Sequence, residues 1–136
     1  MKKIILILIF AITMFSFTSC LDTVSDPIDL ANVLMDQDYH VTLNVEQEDI
    51  GAIANTLNVK ANGIACILIA KPNDYNALRS GIFLFCKNAN IAKDMKENLQ
   101  TYLGKEGCGV IFIRATAQVS GKTVFVGCKD VWEDIE

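Results

Sequence analysis

Apolar positions along this chain fall into two regimes. Residues 4–17 are apolar with only Thr13 and Ser16 intervening, a block too dense for a half-exposed element. From residue 26 onward, apolar residues recur every three or four positions or every second position, the periods of a helix and of a strand with one buried face. Asp26 followed by Pro27 forms an N-cap and first-turn pair. Ile28, Ala31, Leu34 and Met35 then share a face, which predicts a helix over residues 27–37. His40-Val41-Thr42-Leu43-Asn44-Val45 alternates strictly and predicts a strand. Ile50, Ile53, Ala54 and Leu57 mark a second helix, with Glu46, Glu48 and Asp49 near its start, where the helix dipole favours negative charge.

Two nearly unbroken apolar runs, residues 64–70 and 81–86, flank a stretch containing Pro72, Asn73, Asp74 and Asn76. That is turn chemistry between two strands, and it predicts an antiparallel hairpin. Asn88 or Asn90 caps a third helix, which carries Ala92, Met95, Leu99, Tyr102 and Leu103 on one face and Gly104 at its C-terminal cap. Residues 110–117 and 123–128 give a last hairpin around Ser120-Gly121, and Asp130 caps a terminal helix over 131–135.

This succession predicts an α+β fold, an antiparallel sheet of about five strands with packed helices. The inner six elements run β-α-β-β-α-β, the split βαβ order of ferredoxin-like sandwiches, in which the sheet order is 4-1-3-2; an extra C-terminal strand and helix follow. A constant spacing of 42 relates Cys66 to Cys108, Phe83 to Phe125, Cys86 to Cys128 and Lys87 to Lys129. Either a helix-strand-strand unit is present twice, or similar hairpins have converged on the same residues.

Met1, Lys2 and Lys3 ahead of the apolar block make it a secretion signal. As a helix, residues 4–17 rise about 21 Å at ~1.5 Å per residue, short of the ~30 Å hydrocarbon core, so a permanent span is disfavoured. The block ends in Phe17-Thr18-Ser19-Cys20, which resembles the lipobox of bacterial lipoprotein signal peptides; Phe17 stands where that pattern has leucine or another aliphatic residue. The resemblance implies cleavage before Cys20, acylation of that cysteine by fatty acids such as palmitate, and a two-chain anchor on the extracytoplasmic face of the cell membrane or envelope. It divides the chain into a signal peptide (residues 1–19), a short tether from lipidated Cys20 (20–25) and a single domain (26–136). Ser25-Asp26-Pro27, Tyr39, Gly121-Lys122 and Gly127-Cys128-Lys129 are also similar to uncharacterised small bacterial surface lipoproteins, a likeness that brings no catalytic motif.

Loss of residues 1–19 removes Lys2 and Lys3 but no acid, leaving ten bases against sixteen acids and a formal charge of −6. Phosphate neutralisation supplies most nucleic-acid affinity, so nucleic acid is excluded as a partner. The domain has a single histidine, His40, which reads as an exposed strand residue with Asp36 and Asp38 nearby in sequence. Phosphate-binding loops, His-Glu-x-x-His and calcium-loop spacings are missing from the sequence, and Gly104, Gly107 and Gly109 precede a strand instead of opening a helix. Neither cofactor nor metal is expected.

Cys66, Cys86, Cys108 and Cys128 remain after Cys20, an even number that permits disulfides outside the cell. A turn centred on Asn76 sets Cys66 opposite Cys86. Opposed residues have Cα atoms ~4.5–5.5 Å apart, within the ~4.4–6.8 Å that a disulfide spans. A turn on Ser120-Gly121 puts Cys128 opposite Ile113 and leaves Cys108 out of register. The competing assignment is buried free thiols. If Val41, Leu43 and Val45 face the helices, His40, Thr42 and Asn44 form a candidate binding face, joined by Phe83, Phe85, Phe112 and Phe125. Equally, the first and last helices can cover that face and make the phenylalanines core.

Three functional classes fit. The first is a membrane-anchored envelope lipoprotein acting as a non-enzymatic binding or interaction module, with a protein as partner. The second is a thiol-redox protein or enzyme using Cys66, Cys86, Cys108 or Cys128. The third is an inhibitor or immunity-type protein for a basic partner, which draws only on the negative charge.

Overall fold

Asp26 caps the first helix as its position implies, its carboxylate accepting from the amides of Ile28 and Asp29 at 2.8 and 3.3 Å. The computed structural model describes residues 25–104 and 112–136. Helix α1 (Pro27–Asp36) buries Leu30 and Leu34. Ile28 and Met35 are 57% and 51% exposed, so the core takes the neighbouring stripe and not the predicted one. Both stripes contain Leu34, and the one that also places Leu30 beneath it brings two leucines one helical turn apart into contact with the sheet.

Helices α1 and α2 (Gln47–Thr56) end in the same way. Asp38 at φ 67° and Asn58 at φ 60° turn the chain. The next amide then reaches back into the last turn, Tyr39 N to Leu34 O at 3.0 Å and Val59 N to Ala54 O at 2.9 Å. This is the Schellman cap, with a short polar side chain in the left-handed position that glycine usually takes.

The strands are β1 (His40–Asn44), β2 (Ile64–Lys71), β3 (Gly81–Cys86), β4 (Ala115–Ser120) and β5 (Thr123–Cys128). All four pairings are antiparallel, and the sheet order is β1-β2-β3-β5-β4. The α+β class and the five-stranded antiparallel sheet are therefore as expected, but the ferredoxin-like order 4-1-3-2 is not found. The reason lies in the Asn58 cap. It reverses the chain after α2, and residues 59–63, closing in a 3-10 turn over Ala61–Gly63, bring β2 back to the end of the sheet that β1 left. Thus β2 lies beside β1 with Asn44 opposite Ile67, and no gap is left for a third strand between them.

Both faces of the sheet are covered. Helix α3 (Ala89–Gly104) joins α2 over one face, where Ile67, Leu84, Val124 and Val126 meet Ile50, Ala54, Met95 and Leu99. Asn88 supplies its cap, accepting from Ile91 N at 2.9 Å, and Tyr102 donates to Thr56 O at 3.2 Å, tying α3 to α2. Helix α4 (Lys129–Ile135) joins α1 over the other face, around Leu68, Phe83, Phe85 and Phe125. The expected cap at Asp130 is not found, because α4 begins at Lys129 with Cys128 as its N-cap residue. Asp130 instead sits in the first turn, paired with Arg114 and, at 3.8 Å, with Arg79.

The two helical layers differ in charge. Residues 25–39 and 129–136, which hold α1 and α4, contain eight acids and one base, Lys129. The layer of α2 and α3 is close to balanced.

Candidate functional site

The strand pairing decides the fate of the predicted sites. In the β2–β3 hairpin Ile67 faces Leu84 and Leu68 faces Phe83, and a bulge between Ile64 and Cys66 leaves Cys66 opposite Phe85. The register that follows from a turn centred on Asn76 slips by one residue. Because side chains alternate, that slip sends the two sulfurs to opposite faces. Cys66 packs in the α1–α4 layer and Cys86 in the α2–α3 layer, so the Cys66–Cys86 bridge is ruled out. Cys66, Cys86 and Cys128 are free thiols. Cys128 lies opposite Ala115, not Ile113, because the β4–β5 turn falls on Gly121-Lys122. Cys20 and Cys108 lie outside the described residues.

Burial pushes the Cys66 thiol up, and the Cys86 thiol from the ordinary 9.0 to about 11; Cys86 Sγ lies 3.8 Å from Met95 Sδ. A thiol held protonated is a poor nucleophile. The raised folded-state value also fixes a sign. The contribution of Cys86 to stability is complete below the free-thiol value and is lost as pH rises from there towards 11. Native-state alkylation at pH 8 followed by peptide mapping should label Cys66 before Cys86 and Cys128, and omission of reductant should yield no linked Cys66–Cys86 peptide. Recovery of that linked peptide would overturn the register.

His40, Thr42 and Asn44 share one side of β1, as alternation requires, and that side belongs to the α2–α3 face. The phenylalanines do not join them. Phe83, Phe85 and Phe125 are core on the opposite face, beside Val41 and Leu43. Phe112 is buried in the α2–α3 layer. Around β1 the candidate residues meet other partners. His40 lies opposite Lys71 and stacks on Tyr75 with ring centroids 4.3 Å apart. Thr42 is exposed opposite half-buried Ile69. Asn44 Nδ2 is enclosed without a hydrogen-bond partner, at a local cost of ~1–3 kcal/mol. These three residues make a strip along one edge strand.

A concave site does form nearby, where α3 passes the turn that leads into β2. It encloses about 360 Å³ and is lined by Val59, Lys60, Asn62, Gly63, Ile91, Asp94, Met95 and Asn98. That volume lies at the small end of the ~300–1,000 Å³ usual for small-molecule sites. Its construction is local. The Asn58 cap aims residues 59–63 at α3, and Gly63 O accepts from Lys87 N at 3.0 Å. A Cβ on Gly63 would lie 2.7 Å from Ile91 Cγ2, so only glycine lets the turn approach so closely. Helix α3 contributes Ile91 and Met95 one turn apart as an apolar floor, and Asp94 and Asn98 one turn apart as a polar rim. Lys60 and Asn62 form the rim opposite. Among the described residues, neither Lys60 nor Asp94 takes part in an ion pair.

This cleft escaped sequence reasoning. The available signals were Asn58 as a left-handed cap and the doubled i, i+4 pattern of Ile91/Met95 with Asp94/Asn98. Neither signal says that the two segments meet. Among the described residues, no three His, Cys, Asp or Glu side chains are grouped to hold a metal ion, and no helix is long and apolar enough to cross a membrane. No protein-family model, curated protein or solved structure matches this chain.

Proposed function

We propose that the chain is a lipoprotein held to the extracytoplasmic face of a membrane through Cys20, acting as a non-enzymatic binding module. The observation that carries the address is Phe17-Thr18-Ser19-Cys20 directly after a basic start and a short apolar run. Ser25, the first described residue, lies five positions after Cys20, so a lipid there would hold the domain close to the bilayer. Binding is favoured over thiol chemistry because burial keeps Cys66 and Cys86 protonated, and because Cys66 and Cys86 lie on opposite faces of the sheet. The cleft between residues 59–63 and α3 gives such a module a concave, mixed polar and apolar surface.

A second reading has its own support. The acids of the α1–α4 layer suit an inhibitor or immunity-type protein that meets a basic partner.

The address is tested by substitution. Metabolic labelling with a palmitate analogue should mark the wild-type protein and not Cys20→Ala, and the variant should leave the membrane fraction or accumulate unprocessed. Equal labelling of both proteins would refute it.

A further inference from the structure

We propose that the α3 cleft binds a small zwitterion, a molecule of amino-acid size that carries an ammonium and a carboxylate beside an apolar group. The inference rests on the binding-module reading and names the ligand class for its site. Three features converge. The rim carries one cation, Lys60, and one anion, Asp94, and neither is engaged in an ion pair among the described residues. A ligand with a single charge would satisfy one of them and set the other against its own like charge or leave it unused, whereas a zwitterion engages both at once. Ile91 and Met95 of the same lining are apolar, with Met95 buried and Ile91 half-buried, and accept an aliphatic group. Asn62 and Asn98 each offer both a donor and an acceptor, which suits a ligand presenting both kinds of group.

The rim is exposed, so each charge contact is weak, on the scale of surface ion pairs. The expected discrimination is correspondingly modest, about three- to fivefold per charge.

Three probes with the same isobutyl group test this: leucine, 4-methylpentanoate, which lacks the ammonium, and isoamylamine, which lacks the carboxylate. Each is titrated into the isotope-labelled full mature chain and followed by amide chemical shifts. Leucine should give saturable shifts at residues 59–63 and 91–98 and bind three- to fivefold tighter than either analogue. Lys60→Met should abolish its advantage over isoamylamine but keep that over 4-methylpentanoate, and Asp94→Asn should do the reverse. Both side chains are exposed, so both variants retain the fold. Binding of all three probes with equal affinity would overturn the zwitterion proposal and leave the cleft as a binding site. Absence of shifts at the cleft with every probe would overturn the site itself.

Discussion

Gly127→Ala is expected to destabilise the domain by about 2–6 kcal/mol, enough to remove much or all of the usual ~5–15 kcal/mol of a single domain. Gly127 lies in β5 directly opposite Gly81 of β3, and its φ of +155° is one that side-chain-bearing residues rarely adopt. A Cβ there would fall 2.6 Å from both Gly81 Cα and Ser80 O. These are backbone atoms of β3 and of the residue just before it, and they move only if the β3–β5 pairing opens. Cys128 N donates to Ser80 O at 2.9 Å, so the same displacement breaks a hydrogen bond at the start of α4. Urea unfolding followed through Trp132, the single tryptophan, gives the measurement. Gly51→Ala is the control. It sits in α2 with nothing within 4 Å of its Cβ position and should be neutral or stabilising by ~0.5–1 kcal/mol. Equal midpoints for the two variants would show that the strands are not packed as closely as described.

Phe125→Ala is the second large effect, at about 3–5 kcal/mol, the range for emptying a buried phenylalanine site. Phe125 is fully buried, with ring centroids 4.9 Å from Phe83 and 5.5 Å from Trp132. Its ring also occupies the space over Gly81, where an added Cβ would meet Phe125 Cε1 at 2.5 Å. Truncation removes the ring that fills this space together with both aromatic packings. At ~4–8 °C per kcal/mol for a domain near this size, the melting temperature should fall by more than about 10 °C. Phe125→Leu keeps most of the volume and should cost less than ~1.5 kcal/mol. If alanine and leucine proved equally tolerated, the ring would not be packed between the two aromatics.

Where pattern alone determined the outcome, the sequence was readable. Strict alternation fixed β1, and the stripe through Ala92, Met95 and Leu99 fixed α3, because each had one apolar face and no competitor. Helix α1 had two adjoining stripes, and only the sheet beneath it chose between them. The cysteine pairing failed by a single residue, since the ten-residue connection between Ala70 and Gly81, with Tyr75 at φ 56° and a 3-10 turn over Ala77–Arg79, does not set register by itself. The 42-residue spacing was also informative, since the helix-strand-strand succession is present twice, as α2-β2-β3 and α3-β4-β5, with α2 and α3 over the same face of the sheet. It matches β3 with β5, places Phe83 directly opposite Phe125, and sets Cys86 and Cys128 each just before a helix, but those helices cover opposite faces. The cleft depends on two segments far apart in sequence, and nothing in either one's local pattern declares the meeting.

The placement of β5 between β3 and β4 constrains the order in which this molecule can be made. Strands β1, β2 and β3 pair in chain order, with α2 between the first two, and β4 and β5 form a tight hairpin, so each part closes shorter stretches of chain than the seam between them. The β3–β5 seam joins them across the whole of α3, and it is the slow, high-separation step on which the sheet's completion waits. Until β5 has been made and has paired, β3 presents an open edge that carries Phe83 and Phe85, the kind of surface on which chains associate wrongly. Nascent protein therefore passes through an aggregation-prone half-sheet, and its yield should respond to the speed of synthesis and to chaperones that hold unfinished chains more than its final stability would suggest.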